Sequence, residues 1–247
     1  RWIYTNHSFQ GRDPNPPVEL PEGCREAIVF GVEMDYEMVA TAPAATMLTE
    51  SHRSYARMCT LISSVANYIK SLGYQAIPSL NDTAMNVPLA VDAGLGQPSR
   101  MGLVITPQFG PRVRLGKVIT DLPLAGKKNH VDFGVLEFCD VCQKCAKRCP
   151  AGAAPTGPRT TEGHNISNSH GVLKWYLNAE KCRTYQFRTG TNCSICMRIC
   201  PFNKGKGFHH SIARWMVKNL PVFNRFLIHL DEWLNYGKRK DSGFFWA

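Results

Sequence analysis

Four cysteines, Cys139, Cys142, Cys145 and Cys149, crowd into the stretch CDVCQKCAKRCP, with Pro150 directly behind the last. Runs spaced C-x2-C-x2-C-x3-C-P hold four-iron, four-sulfur cubes, in which tight turns let three thiolates cap one face of a cube. The fourth thiolate cannot reach the same cube, so a second, partnered run is required. The stretch CRTYQFRTGTNCSICMRICPFN supplies it as Cys182, Cys193, Cys196 and Cys200, again closed by a proline, Pro201. Crossing then assigns Cys139, Cys142, Cys145 and Cys200 to cluster 1, and Cys149, Cys182, Cys193 and Cys196 to cluster 2. The stretched first interval of the second run is expected to be a loop containing Gly190.

Structural zinc in two C-x-x-C pairs is the alternative, although zinc sites rarely need such extended runs, each closed by proline. A disulfide scaffold fits less well, because eight of the ten cysteines fall between residues 139 and 200 instead of stapling the whole chain. Of the other two, Cys59 is placed on the apolar face of a helix as a small buried hydrophobe, and Cys24 has no evident role. The eight histidines show no metal-ligand spacing.

The 247 residues are 44% hydrophobic and 19% charged, which excludes disorder and collagen-like structure. No run of apolar residues is long enough to span a bilayer, and the first residues carry no signal-peptide core. Because the chain begins at Arg1 and not Met, it is expected to be a processed form or a piece of something longer. The formal charge of +10 invites a polyanion partner. The basic residues are scattered, however, and two clusters of roughly −2 apiece would bring the total to about +6. No nucleic-acid partner is expected.

Two clusters make a wire, and the elements upstream must supply its destination. Residues 27–34, AIVFGVEM, read as a buried strand. In residues 49–73, Tyr55, Met58, Cys59, Ile62, Val65, Ala66 and Ile69 recur at helical spacing, with Gly73 as a stop. A strand follows at 74–78. Residues 102–106 and 113–120 read as two strands joined by a turn at Gly110-Pro111. The pattern is α+β with antiparallel pairing, and no G-x-G-x-x-G opens a helix, so a dinucleotide fold is not expected.

The segments LGYQAIPSLND, PLAVDAGLG, GLVITPQFGPRVRLGKVITDLPL, FCDVCQKCAKRCP, GPRT and CPFNKG resemble the catalytic subunit of corrinoid-dependent reductive dehalogenases of anaerobic, organohalide-respiring bacteria. The resemblance runs over roughly residues 25–210. It implies a nitroreductase-like corrinoid-binding domain fused to a bacterial ferredoxin-like unit with two [4Fe-4S] clusters. It also implies base-off binding of a cobamide, a small organohalide substrate, an external electron donor and a membrane-anchor subunit. The expected location is the outer face of the cytoplasmic membrane after Tat export. Three residues carry over at matching spacing: Tyr55 as proton donor, Asn81 at the halide end of the pocket, and Arg114 beside the tyrosine. Gly94 and Gly96 fall in a loop expected near the corrinoid, where GLGQPSR departs from the family's GLGELGR.

Without the resemblance these residues have plainer readings. Tyr55 lies on an apolar stripe, Arg114 within a strand suits a carboxylate partner, and Asn81-Asp82 suits a helix cap. The expected division is a corrinoid- and substrate-binding domain at 1–134, a ferredoxin-like domain at 135–206 and a helical extension at 207–247. In that extension Ile212, Trp215, Met216, Leu220, Phe223, Phe226, Leu227 and Leu230 alternate with Arg214, Lys218 and Arg225. Two amphipathic helices broken near Pro221 are expected, packed on the ferredoxin-like unit or docked on the anchor. Two competing functions share the layout: an epoxyqueuosine reductase-like enzyme of tRNA modification, and a non-catalytic ferredoxin-type electron carrier.

Overall fold

In this computed structural model, residues 19–126, 131–165, 168–205 and 207–245 are described. The amino-terminal stretch to residue 18 with His7, the basic pair at 127–128 and His130 lie outside them. The alternating apolar text VRLGKVIT forms β5, Val113–Thr120, which is buried on both faces and therefore central. It is flanked by β1, Glu26–Glu33, and β2, Ala76–Ser79, both antiparallel to it. Glu26 lies opposite Thr120 and Glu33 opposite Val113, while Ala76 also faces Thr120 from the other side. Being an edge strand, β1 is half-buried and not buried as its apolar text suggested.

The short helix α1, Tyr36–Ala40, is capped by Asp35, whose carboxylate accepts from the Met38 N–H at 2.9 Å. It leads into the long helix α2, Ala45–Ser71, which covers one face of the sheet. Met58, Ile62, Ala66 and Ile69 of α2 pack on Val32 and Val118. Gly116 permits the approach, because a Cβ there would meet Met58 Sδ at 2.6 Å. The seam centres on Met58 and Ile62, so Cys59, on its flank, rolls out past the narrow sheet and is exposed. The expected buried role for Cys59 is thereby overturned. On the opposite face, Ala90 of α3, Asn86–Asp92, packs on Val113 and Leu115.

The stretch read as a strand at 102–106 shrinks to β4, Val104–Ile105, which pairs with β3, Gln97–Pro98, and not with β5. Thr106 causes the diversion: it bridges to Gly110, and its hydroxyl accepts from the Phe109 N–H at 3.1 Å, closing a tight loop. Gly110, at φ +57°, presses that loop against the Phe202 carbonyl, 2.2 Å from where a Cβ would sit.

Downstream come α4, Val135–Cys142; α5, Lys144–Lys147; α6, Ala179–Thr189; and α7, Ile195–Arg198. The long interval after Cys182 is helix and not loop: α6 starts at the Asn178 cap and is stopped by Gly190 at φ +64°. Two further helices follow, α8, Phe208–Asn219, and α9, Asn224–Trp233, broken at Pro221 as the sequence predicts. They pack on α4 through Val217, Leu227 and Ile228. Of these only Leu227 was on the expected apolar face. Ile212, Trp215 and Phe226 instead point outward, between 52% and 58% exposed. Met34, Val39 and Met47 form a cluster with Met197, which fastens α1 and α2 to α7.

Candidate functional site

The two cysteine runs fold as near copies of each other. In each C-x-x-C turn the residue after the first cysteine is left-handed, Gln143 at φ 52° and Ser194 at φ 56°. That kink points the next N–H back at the sulfur, Lys144 N–H toward Cys142 and Ile195 N–H toward Cys193. Further on, the Cys149 and Cys200 amides donate to the carbonyls of Ala146 and Met197 at 3.3 Å each.

The thiols fall into two quartets. Cys200 comes within electrostatic range of Cys139, Cys142 and Cys145, and Cys149, Cys182, Cys193 and Cys196 act on one another, with Cys145 also reaching Cys196 across the two sets. These are the crossed sets. Among the described residues no three Cys, His, Asp or Glu side chains converge tightly enough for a single metal ion. Tetrahedral zinc would need sulfurs about 3.8 Å apart.

A cavity of about 430 Å³ separates the second quartet from the sheet domain. Cys149, Cys182, Cys193 and Cys196 form one wall, Tyr55, Ser51 and Arg114 the other, and Met101, Leu103, Ala154 and Leu177 an apolar floor. Exposed His52 and Arg183 mark its open side. Tyr55 projects from α2 with its ring 5.1 Å below the Arg114 guanidinium. Its hydroxyl accepts from Asn81 Nδ2 at 2.9 Å. The three residues singled out from sequence therefore meet.

Two of their plainer readings do not hold. Arg114 makes no ion pair among the described residues; its Nη2 donates to Ser51 Oγ at 2.7 Å, and its buried Nε has no partner. Asn81 is not a helix cap, since α3 begins at a Met85 cap without a side-chain bond. Gly94 and Gly96 stand apart from this cavity. Gly94 closes the end of α3 at φ +78°, and Gly96 lies against β4, where a Cβ would sit 2.0 Å from the Ile105 carbonyl.

Comparison with known proteins bears on this arrangement. Residues 138–203 match the family described as a 4Fe-4S double cluster binding domain. The chain is 41% identical over 227 residues to the tetrachloroethene reductive dehalogenase of Sulfurospirillum multivorans, covering 92% of this chain and 45% of that protein. The chain is a homologue of the reductive dehalogenases. It spans less than half the length of that relative. Two solved structures superpose on 86% of it with 27% identity. One is the catabolic reductive dehalogenase NpRdhA in complex with 3-bromo-4-hydroxybenzoic acid, with a TM-score of 0.78 and 30% of that chain covered. The other is a reductive dehalogenase reported with a mechanism for B12-dependent dehalogenation, with a TM-score of 0.77 and 31% covered.

In this reductive dehalogenase homologue the thiols are poised for a cation. Burial pushes Cys139 and Cys145 up to about 12 and Cys142 to about 11, and drives Cys196 and Cys200 the same way. Only a bound cation makes thiolates stable there, which is what iron supplies. Two amides brace the second quartet, Ala153 N–H on Cys149 Sγ at 3.3 Å and Gln186 Nε2 on Cys182 Sγ at 3.4 Å.

Several residues were missed from sequence. Ser51 lies one helical turn before Tyr55, so helical phase alone places it on the same face. Asn192, next to Cys193, donates to Ser51 Oγ at 2.8 Å and links Arg114 to the cluster turn. Lys117 is fully buried and burial draws it down to about 8; its Nζ donates to Leu80 O, Asp82 O and Asn86 Oδ1. Near the first quartet, Lys144 and Lys204 both pair with the buried Asp231 carboxylate.

Proposed function

We propose that this chain reduces a small organohalide at a corrinoid seated in the cavity between Tyr55 and the second cysteine quartet. One juxtaposition carries the reading: a phenol, a guanidinium and four cluster-type cysteines line the same cavity. Cys139, Cys142, Cys145 and Cys200 would hold one [4Fe-4S] cluster, and Cys149, Cys182, Cys193 and Cys196 the other. The second cluster would lie beside the cavity and the first farther back in the core. A cobamide exceeds 430 Å³, so these residues supply one wall of its seat. The unpartnered Arg114 Nε and the apolar floor suit a large amphiphilic ring with polar side groups. The sheet domain would then be the nitroreductase-like, corrinoid-binding part, and a histidine lower ligand is not required.

When bound, the corrinoid supplies reduction of the carbon–halogen bond, with electrons drawn from the clusters. The chain's own residues handle the proton and the charge. Tyr55 donates its hydroxyl proton to the carbon released by the halogen. The Arg114 cation over the ring and the Asn81 amide on the oxygen stabilise the phenolate left behind. Chlorinated ethenes, named for the relatives, are the first substrates to test. The outward aromatic face of α8 and α9 suits an anchor subunit at the outer face of the cytoplasmic membrane, with an external donor feeding the first cluster.

The experiment uses the full protein purified anaerobically with cobamide. Tyr55→Phe is expected to bind the corrinoid and reduce both clusters while losing turnover by about a hundredfold or more. Turnover equal to the unaltered protein would remove Tyr55 from the chemistry. Failure to take up cobamide would leave an electron carrier instead, and turnover of an epoxyqueuosine tRNA in place of a chlorinated ethene would assign the other enzyme.

A further inference from the structure

Lys117 and Asn86 touch neither the cavity nor the cysteines, yet they are joined to Tyr55 by an unbroken line of side chains. Lys117 Nζ donates to Asn86 Oδ1 at 3.0 Å. Asn86 Nδ2 donates to Asn81 Oδ1 at 3.0 Å, and Asn81 Nδ2 donates to the Tyr55 hydroxyl at 2.9 Å. We infer that Lys117 and Asn86 are positioning residues that fix the direction of this chain, so that the Tyr55 proton points into the cavity.

The direction follows from donor and acceptor chemistry. An ammonium only donates, so Asn86 must turn its carbonyl oxygen toward Lys117. The Leu80 carbonyl, which only accepts, takes a bond from Asn86 Nδ2 at 2.6 Å and holds the same amide from its other end. Asn86 is thus oriented twice over and cannot flip without losing both bonds. Its N–H forces Asn81 to present oxygen to it and N–H to Tyr55. A hydroxyl either donates or accepts along a given line. With Asn81 donating, the Tyr55 oxygen accepts, and its own proton is left for the cavity side.

The chain also crosses the sheet. Lys117 stands on the α3 face of β5, whereas Tyr55 lies on α2, which covers the other face, and the loop carrying Asn81, which runs on from the end of β2 at Ser79, links them. Lys117 adds two bonds to that loop, at Leu80 O and Asp82 O, 2.9 and 2.8 Å. The buried lysine therefore sets both the place of Asn81 and the polarity of its amide.

The inference rests on Tyr55 being the proton donor, and its test separates the two. Asn86→Leu breaks the line without adding charge, and Asn86→Gln keeps an amide there. Phenol ionisation is read by ultraviolet difference titration of the cluster-loaded protein, with Tyr55→Phe subtracted. In Asn86→Leu the phenolate loses its oriented N–H, so Tyr55 acidity is expected to fall about tenfold, and kcat about tenfold with KM unchanged. Asn86→Gln is expected to restore both in part. Asn81→Leu, at an exposed position, should reproduce the acidity change if Asn86→Leu does not fold. A Tyr55 titration unchanged in Asn86→Leu, or unchanged in Asn81→Leu, would overturn the inference. Were Tyr55→Phe to turn over normally while Asn86→Leu still shifts the titration, the directed chain would stand and the proton-donor role would fall.

Discussion

Replacing Asp231 by Asn tests how charge is balanced around the first quartet. Asp231 is only 6% exposed and sits between two ammonium groups, with Lys144 Nζ at 2.5 Å from Oδ2 and Lys204 on Oδ1. Burial holds Lys204 below the ordinary lysine range and Asp231 pulls it back up. The substitution leaves two buried cations sharing a neutral partner, with only the half-exposed Glu232 carboxylate, 4.0 Å from Lys144 Nζ, nearby. Removing one member of a buried ion pair costs about 3–5 kcal/mol, or roughly 6–20 °C in midpoint for a chain of this size. Anaerobic thermal and guanidinium unfolding of the cluster-loaded protein measure it. The sign with pH is fixed by linkage. A lysine depressed in the folded state is protonated more readily when unfolded, so stability rises with pH between the folded and unfolded values. The deficit of the Asp231→Asn variant is therefore expected to shrink as pH is raised from about 7 toward about 10. Adding Lys204→Met should recover most of the loss. A deficit under about 1 kcal/mol, or a double variant no better than the single one, would refute the reasoning.

Gly110→Ala should cost about 2 kcal/mol or more, because the new Cβ would sit 2.2 Å from a backbone carbonyl at a left-handed position; chemical unfolding reads it. Cys149→Ser should disturb the same cluster as Cys193→Ser and leave the cluster of Cys139 intact, although Cys149 belongs to the first run. Iron content falling from about eight toward about four in both variants, with matching paramagnetic spectra of the cluster that remains, is the expected result.

The double-cluster domain was legible because cluster ligation is written in short spacings, where each cysteine is tied to the next by a turn. Helix α2 was legible from its period, with Met58, Ile62, Ala66 and Ile69 inward as expected, but Cys59 was misplaced because the width of the sheet decides where the covered stripe ends. The same limit misplaced the inward face of α8 and α9, whose register is set by Val217 and Ile228 against α4. The strands at 27–34, 74–78 and 113–120 were found close to their observed places, whereas the one at 102–106 was read too long, since Thr106 turns the chain by a local bond that alternation does not record. Tyr55, Asn81 and Arg114 came only from resemblance. Nothing in the text around Lys117 or Asn86 marks them, because their effect arises from partners brought together from opposite faces of the sheet. Asn192 and Ser51 lie 141 positions apart and become partners only through folding.

Cys139, Cys145 and Cys200 pack in the apolar interior beside Phe138, Trp175, Phe202, Val217 and Leu227. Three sulfurs proposed as cluster ligands are thus also bricks of the building. If these thiols hold the proposed cube, folding of this interior is coupled to iron supply, and loss of the cube is expected to loosen the architecture along with the chemistry.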